Sequence, residues 1–247
     1  MDIEEFALGD SLIHRLDPRV KIAMAAIYSV IVALSGSVHA AAVSICFPVI
    51  LILLGRLSLR RILRRLAVVN AFVLFLWVFL PFTYPGKIVY SLGPLDVHRE
   101  GLVYALLITL KSNAIMLTVL ALLGTSSVFS VVYALSRLGV PDKLVHLFFF
   151  CYRYVHVVHE EYHKLVNALK IRGFKPGTNI HTYRTYSYLV GMLLVRSFDR
   201  SARILSAMKC RGFNGKFHLL ERGEMHGHDY LVGASSVLFS GLLLVVR

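Results

Sequence analysis

Cysteine, acidic side chains and recognisable catalytic motifs are all scarce in this sequence of 247 residues. The three cysteines, Cys46, Cys151 and Cys210, form no CxxC pair, so neither a disulfide framework nor a zinc site is expected. The absence of a G-x-x-x-x-G-K-[ST] motif argues against ATP binding through a phosphate-binding loop. The sequence also lacks GxSxG, HExxH and a spaced pair of intramembrane carboxylates. We therefore expect a non-catalytic protein with no bound metal or cofactor.

What the sequence has in abundance is apolar and basic side chains. Hydrophobic residues make up 57% of the chain and charged residues only 17%, with a net charge of +13. Such a composition is typical of an integral membrane protein. The first residues, MDIEEF, are acidic, whereas the leading region of a secretory signal is basic, so no cleavable signal peptide is expected.

Five apolar runs approach the roughly 20 residues that a membrane-spanning helix needs. They are Val20–Ser37, His39–Gly55, Leu66–Phe82, Gly101–Leu123 and Tyr230–Val246. Lys111 interrupts the fourth run. We interpret it as a lysine that faces a polar bundle interior, with a functional intramembrane site as the alternative.

The distribution of basic residues between the runs predicts the orientation. The connection RLSLRRILRR carries five arginines, and the approach to the first run adds Arg15, Arg19 and Lys21. The first connection, SGSVH, has no lysine or arginine. By the positive-inside rule, the N-terminus and the arginine-rich connection are cytoplasmic. Because the basic charge follows membrane topology, nucleic-acid binding is not expected.

The region from Gly124 to Asp229 is basic and holds no unambiguous span. Its apolar stretches, Leu144–Val158 and Tyr186–Val195, hold or adjoin arginine or histidine. We predict that they are helices buried in protein or partly embedded in the membrane interface. We divide the chain into a membrane region (1–123), a cytoplasmic or interfacial coupling domain (124–229) and a final transmembrane helix (230–247). His226 and His228 are expected to lie in a solvated loop, with metal binding as the alternative.

An internal repeat stands out in this middle region. Residues 168–174 read ALKIRGF and residues 207–213 read AMKCRGF, which are identical at five of seven positions. The similarity extends upstream, where Glu160 matches Asp199 and Lys164 matches Arg203. Apolar positions of the first copy become Ser197 and Ser201 in the second, and small residues let helices approach closely. The repeat predicts two similar helices that cross or pack together.

Both copies end in the same way, and two interpretations compete. Lysine and arginine in a last helical turn, followed by glycine, are ordinary capping chemistry. Capping alone does not explain the matched helices and the trailing phenylalanines, and an arginine followed by an aromatic residue is a good anchor for a protein partner. We favour a paired docking site formed by Lys170, Arg172, Gly173, Phe174, Lys209, Arg211, Gly212 and Phe213.

Several landmarks together resemble one known family. The segment Leu16-Asp17-Pro18-Arg19-Val20-Lys21 resembles the LDPR-x-K signature of the transmembrane (T) component of energy-coupling factor transporters. Leu138-Gly139-Val140-Pro141, Tyr152-Arg153-Tyr154 and Glu160-Glu161 resemble the next landmark. Arg172-Gly173 and Arg211-Gly212 are similar to the family's two short arginine motifs, although Ile171 and Cys210 stand where alanine is common. Asp17, Pro18 and Arg19 are also good helix-capping chemistry, with contact to the coupling helices as the alternative.

The resemblance implies a fold, partners and a mechanism. It implies an all-α polytopic membrane protein, with about five transmembrane helices and a coupling domain of crossed amphipathic helices, in the bacterial inner membrane. Its partners would be two ABC-type ATPases, anchored by Arg172 and Arg211, and a separate substrate-binding membrane subunit. The overall pattern most resembles the CbiQ type from cobalt and nickel uptake.

Two alternatives stay open at the level of sequence. A conventional ABC permease with its own translocation path would carry a polar face across several spans, and only Lys111 and Asn113 suggest one. A membrane-embedded lipid-modifying enzyme would cluster acidic or histidine residues at the interface. Glu160 and Glu161 are adjacent and therefore point to different sides of their helix, which makes a poor site.

Overall fold

The structure is a computed structural model that describes Gly9 and residues 11–92, 95–215 and 227–245. Residues 1–8, on which the signal-peptide expectation rests, and His226 lie outside the described residues. The helices are α1 (Leu12–Arg15), α2 (Pro18–Leu34), α3 (Val38–Ser44), α4 (Cys46–Gly55), α5 (Leu59–Thr83), α6 (Arg99–Leu122), α7 (Val128–Arg137), α8 (Asp142–Ile171), α9 (Ile180–Cys210) and α10 (Gly227–Val245), and the strands are β1 (Ile88–Leu92) and β2 (Leu95–His98).

The polytopic all-α fold is confirmed. Within the described residues, three stretches are long and apolar enough to cross a membrane: Val38–Gly55, Leu59–Thr83 and Arg99–Leu122. The other two predicted spans correspond to α2, with 17 residues, and α10, whose apolar part is shorter. Two compact units divide the chain, one formed by residues up to Gly139 together with α10, the other holding α8 and α9. The predicted division at residues 123 and 229 stays a prediction of membrane topology.

The second span is broken, and the break has a chemical cause. It consists of α3 and α4, which meet at Ile45, and Pro48 lies in the first turn of α4. Proline has no backbone N–H, so the carbonyl of Ser44, four residues earlier, loses its helical donor. The hydroxyl of fully buried Tyr28 donates a hydrogen bond to this carbonyl. A proline that would cost stability in an isolated helix is thus accommodated by the neighbouring helix.

The core of the first unit lies between α2, α4, α6 and α10. The ring of Phe47 stacks on Tyr28, with 5.0 Å between centroids, and on Phe239, with 5.4 Å between centroids. Helices α5 and α6 approach closely at Gly101, where an added Cβ would lie 2.6 Å from the carbonyl oxygen of Leu80. Large apolar side chains of α5 point outward, as a lipid-facing surface requires: Val68, Phe72, Leu74, Phe75 and Val78.

Lys111 has a structural partner. Its Nζ donates a hydrogen bond to the carbonyl oxygen of Ala33 at 2.8 Å, in the last turn of α2. The last four carbonyls of a helix have no intrahelical donor, and a cation there complements the negative end of the helix dipole. The position favours the structural interpretation of this intramembrane lysine.

The connection between α5 and α6 contains a hairpin that the sequence analysis did not predict. Strands β1 and β2 pair antiparallel, with Ile88 opposite His98 and Leu92 opposite Leu95, and the register is irregular between Ile88 and Tyr90. In the sequence this connection is rich in proline and glycine, which does not predict paired strands. Its Gly93-Pro94 pair lies outside the described residues.

The second unit is a pair of long helices. Helix α8 has 30 residues and α9 has 31. Asn179 begins α9, since its side chain accepts a hydrogen bond from the backbone N–H of Thr182 at 2.8 Å. The interrupted apolar stretches Leu144–Val158 and Tyr186–Val195 lie within these two helices.

Candidate functional site

The two copies of the repeat form the same structure at the ends of α8 and α9. The first residues after the helices, Arg172 and Arg211, have nearly the same backbone angles. They are followed by Gly173 and Gly212 in the left-handed conformation, with φ of +80° and +81°. A residue with a Cβ is strained in this conformation, so glycine is the natural choice. The repeat therefore specifies two equivalent helix ends.

The hydrogen bonds show that each end is a Schellman motif. At the end of α8, the N–H of Phe174 donates to the carbonyl of Leu169 at 3.1 Å, and that of Gly173 to Lys170 at 3.0 Å. At the end of α9, the corresponding bonds join Phe213 to Met208 and Gly212 to Lys209, both at 3.0 Å. This pattern satisfies carbonyls that would otherwise have no partner. Because the two ends share this geometry, each arginine lies at the same position relative to the end of its helix.

The two arginines are exposed. Neither guanidinium forms an ion pair with any residue that the structure describes. Lys170 and Lys209 stand two residues before them and are also exposed, and Ile171 next to Arg172 is 87% exposed. Each helix end thus presents two cations and an apolar neighbour to its surroundings.

The trailing phenylalanines make contacts of their own beside the helix ends. The residue in this position of a Schellman motif commonly makes a hydrophobic contact with the last turn of its helix. Phe213 lines the same cleft as Met208, the residue whose carbonyl accepts its backbone hydrogen bond. The Phe174 ring packs against the rings of His181 and Tyr186, with centroids 6.1 Å and 6.0 Å away. Both phenylalanines are half-buried, and their part in the docking surface stays a prediction.

Ser197 and Ser201 lie where α8 and α9 face each other. They line a cleft of about 330 Å³ between the two helices. The rest of its lining is largely apolar: Phe150, Tyr154, Val157, Val158, Ile204 and Leu205. The hydroxyl of Ser201 donates to the carbonyl of Phe198 at 2.8 Å, within its own helix. The serines therefore face α8 across an open cleft.

An ion pair that the sequence did not reveal links the two helices beside this cleft. Glu161 of α8 accepts a hydrogen bond from Arg196 of α9, and its other oxygen lies 3.7 Å from Arg200. The hydrogen bond from Arg196 is the main reason why the pKa of Glu161 lies below its ordinary value. No sequence signal pairs these residues, which lie on separate helices.

Asp17, Pro18 and Arg19 form the start of α2. Asp17 accepts a hydrogen bond from the N–H of Arg19 at 2.8 Å, and Pro18 occupies the first helical position. The Arg19 side chain donates to the hydroxyl of Tyr133 at 2.9 Å, and the N–H of Asp17 donates to Asp229 at 3.1 Å. The motif therefore joins the beginnings of α2 and α10 to α7 within the first unit.

Lys21, two residues beyond this motif, is 1% exposed. Its Nζ donates to the hydroxyl of Ser126 at 2.9 Å and lies 3.4 Å from that of Thr125. Both hydroxyls follow the end of α6, so this lysine ties the first span to the fourth. In the sequence Lys21 was only a topology signal and the last residue of the LDPR-x-K signature, and neither feature predicts that its side chain is buried.

The residues that the structure describes contain no group of three or more histidine, cysteine, aspartate or glutamate side chains placed to hold a metal ion. The cysteines, Cys46, Cys151 and Cys210, are free and exposed. The candidate site is the pair of exposed helix ends, and their use as a docking surface stays a prediction.

Comparison with known proteins places these features in a family context. The model of the CbiQ family, described as cobalt transport protein, matches residues 9–220. Several similar proteins are energy-coupling factor transporter transmembrane proteins, EcfT. That of Bacillus subtilis (strain 168) is 26% identical over all of this chain and 98% of its own length. Those of Thermosediminibacter oceani and Brevibacillus brevis are 26% and 28% identical, each over 86% of this chain and 84% of the relative.

Proposed function

The chain belongs to the cobalt transport protein family CbiQ, and we propose that it is the coupling subunit of an energy-coupling factor importer. In this role it transmits the conformational change of two ABC-type ATPases to a separate substrate-binding membrane subunit. The observation that carries the proposal is the pair of matched helix ends, each of which presents an exposed arginine on the same rigid cap.

Docking of the ATPases would use these ends. Two equivalent surfaces on one chain suit two copies of one kind of partner, or two closely related partners. Arg172 and Arg211 would each insert into an acidic or carbonyl-lined groove, where a guanidinium makes several charge-assisted hydrogen bonds. Lys170 and Lys209 would add long-range attraction. The Schellman caps would keep both arginines in a fixed position relative to their helices.

The substrate-binding subunit would contact the apolar surface of α8 and α9. Large apolar side chains are exposed along both helices of the second unit: Leu144, Leu147, Phe148, Leu194, Val195 and Phe198. Exposed apolar side chains in this number are typical of helices that contact protein or lipid. The surface supports a membrane-embedded partner, with the lipid bilayer covering the remainder.

The cargo and topology are proposed on separate grounds. Cobalt is proposed as the transported ion because the family is described as cobalt transport protein. Nickel is the alternative, because the sequence resembles the type from cobalt and nickel uptake. Placement of the N-terminus and of the second unit on the cytoplasmic side rests on the arginine-rich connection. The protein would sit in the bacterial inner membrane.

The structure also bears on the enzyme alternative. Glu161, one of the two adjacent acids at the interface, is engaged by Arg196 and approached by Arg200. A carboxylate held charged by two arginines is a poor general acid. This arrangement favours a structural role for Glu161 in joining the two helices.

Co-purification tests the proposal. The chain would be isolated from its native membrane in mild detergent, and the proteins that accompany it would be identified by mass spectrometry. The wild type should retain ABC ATPases and a small membrane subunit. Arg172→Glu with Arg211→Glu should lose the ATPases and keep membrane insertion, because the anchors are reversed in charge.

A matched control uses the same repeat. Lys164→Glu with Arg203→Glu makes the same change in net charge at equivalent, exposed upstream positions. This control should retain the ATPases. Equal retention by both double variants would refute docking through the helix ends, and a chain that purifies alone would refute the coupling function itself.

A further inference from the structure

Two histidines of α8 point their ring nitrogens at each other. His159 and His163 are one helical turn apart and both exposed, and their Nε2 atoms lie 3.0 Å apart. Their rings meet nearly edge to face, with centroids 4.4 Å apart and planes at 87°. Neither residue belongs to the helix ends, to the cleft or to the buried cluster around Asp17.

This separation fits a particular coordination geometry. Imidazole nitrogens bind first-row metal ions at roughly 2.0–2.1 Å, so two nitrogens 3.0 Å apart subtend about 90° at a shared ion. That is the angle between neighbouring ligands in square-planar or octahedral coordination, whereas tetrahedral coordination requires about 109° and therefore a wider separation. Tetragonal sites with nitrogen and oxygen ligands are typical of Cu²⁺ and Ni²⁺.

We propose that His159 and His163 form a two-histidine binding site for a divalent transition-metal ion of the Ni²⁺ or Cu²⁺ class. The proposal does not rest on the proposed transport function, because it concerns a site on this chain and not the cargo. Water molecules would fill the remaining coordination positions.

The proton balance of binding is simple. In the ion-free pair, one Nε2–H donates a hydrogen bond to the lone pair of the other Nε2. A metal ion needs the lone pairs of both nitrogens, so the donating ring moves its proton to Nδ1. For a pair of neutral rings, this exchange of tautomer releases no net proton.

The position of the pair indicates what the ion would do. Glu161 lies between the two histidines in sequence but faces α9, where it binds Arg196. The histidines are each two residues away and therefore project from the opposite side of α8. Among the residues described, no third histidine, cysteine or carboxylate completes a ligand set. The ion would exchange readily and act as a reversible brace across one turn of α8.

Metal titration of the full-length chain in detergent tests the site. The protein would carry an affinity tag without histidine, and Ni²⁺ binding would be measured by isothermal titration calorimetry. Loss of one of two linked ligands should weaken binding by about a hundredfold. His159→Ala and His163→Ala should each show this loss. His181→Ala, at an exposed histidine of α9, should bind as the wild type does.

A register variant separates chelation from histidine content. His163→Ala with Lys164→His keeps the number of histidines but turns the second ring away from His159, so it should bind as weakly as His163→Ala. Cu²⁺ electron paramagnetic resonance should show two coupled imidazole nitrogens in the wild type and one in each single variant. Unchanged Ni²⁺ affinity in His159→Ala, or full affinity in the register variant, would overturn the proposal.

Discussion

Glu161 of α8 accepts a hydrogen bond from Arg196 of α9, and this is an ion pair between the two helices of the second unit. It lies beside the cleft that Ser197 and Ser201 line, where the helix surfaces are separated. The pair therefore holds the helices together at a place where apolar contact between them is incomplete.

The ion pair should make the helix contact sensitive to acid. In the folded protein the pKa of Glu161 lies below its ordinary value of 4.5. The charged carboxylate therefore stabilises the helix contact fully above pH 4.5, and this stabilisation is lost as the pH falls through the lowered pKa. The protection of α9 amides from hydrogen exchange, corrected for the intrinsic pH dependence of exchange, should fall over that range in the wild type. Glu161→Gln should exchange faster at neutral pH and lack this component. An identical pH profile for both proteins would contradict the prediction.

Substitution of the two cap glycines by alanine should lower the stability of the protein. Gly173→Ala and Gly212→Ala place a Cβ in the left-handed conformation, which costs about 1 kcal/mol or more at each position. Thermal unfolding should detect the loss, and ATPase co-purification should weaken because Arg172 and Arg211 move.

Two other variants serve as controls for the caps. Gly191→Ala, at an exposed helical position of α9 with open space around it, should be neutral or stabilising. Gly173→Asn should be milder than Gly173→Ala, since asparagine tolerates the left-handed conformation. If Gly173→Ala, Gly212→Ala and Gly191→Ala have the same thermal stability and retain the ATPases equally, the left-handed glycines do not hold Arg172 and Arg211 in place.

Removal of the Lys21 amine should destabilise the first unit. Lys21→Ala leaves a void and deprives Ser126 of its donor, which should lower the free energy of unfolding by at least about 2 kcal/mol. Lys21→Met retains most of the volume and should lose less. Thermal unfolding in detergent measures both. Near-wild-type stability of Lys21→Ala would show that the lysine does not hold the first span to the fourth.

A larger side chain at Ser201 should fill the cleft between the helices. Ser201→Leu is expected to reduce uptake while leaving membrane insertion intact, because the facing surfaces of α8 and α9 can no longer adjust. Ser206→Leu, at an exposed position of α9 outside the cleft lining, is the control and should transport normally. Equal uptake by the two variants would exclude a role for the cleft in coupling.

Local features of this fold could be predicted from the sequence. Glycine after a basic last turn is a local signal of a helix end. Because this signal occurs twice, it predicted two equivalent helix ends, and the backbone hydrogen bonds are the same at both. Asp17 and Pro18 likewise marked the start of α2. In both cases the determining interactions lie within one turn of helix, so nearby residues suffice.

Features that depend on distant pairing could not be predicted. The hydrogen bond between Asp17 and Asp229 joins residues 212 positions apart, and that between Lys21 and Ser126 joins residues 105 apart. Neither has a spacing that a sequence could display. The compensation of Pro48 by Tyr28 is similar, because the proline is visible in the sequence whereas the hydroxyl that relieves it lies on another helix.

The length of α8 and α9 has a mechanical consequence. At 1.5 Å per residue, helices of 30 and 31 residues are each about 45 Å long. If such a helix tilts rigidly by about 5° around its arginine end, its far end moves by about 4 Å. The capped ends would then be the pivots of two long arms, and a small rotation of whatever grips Arg172 and Arg211 would become a larger displacement at the far ends of the helices.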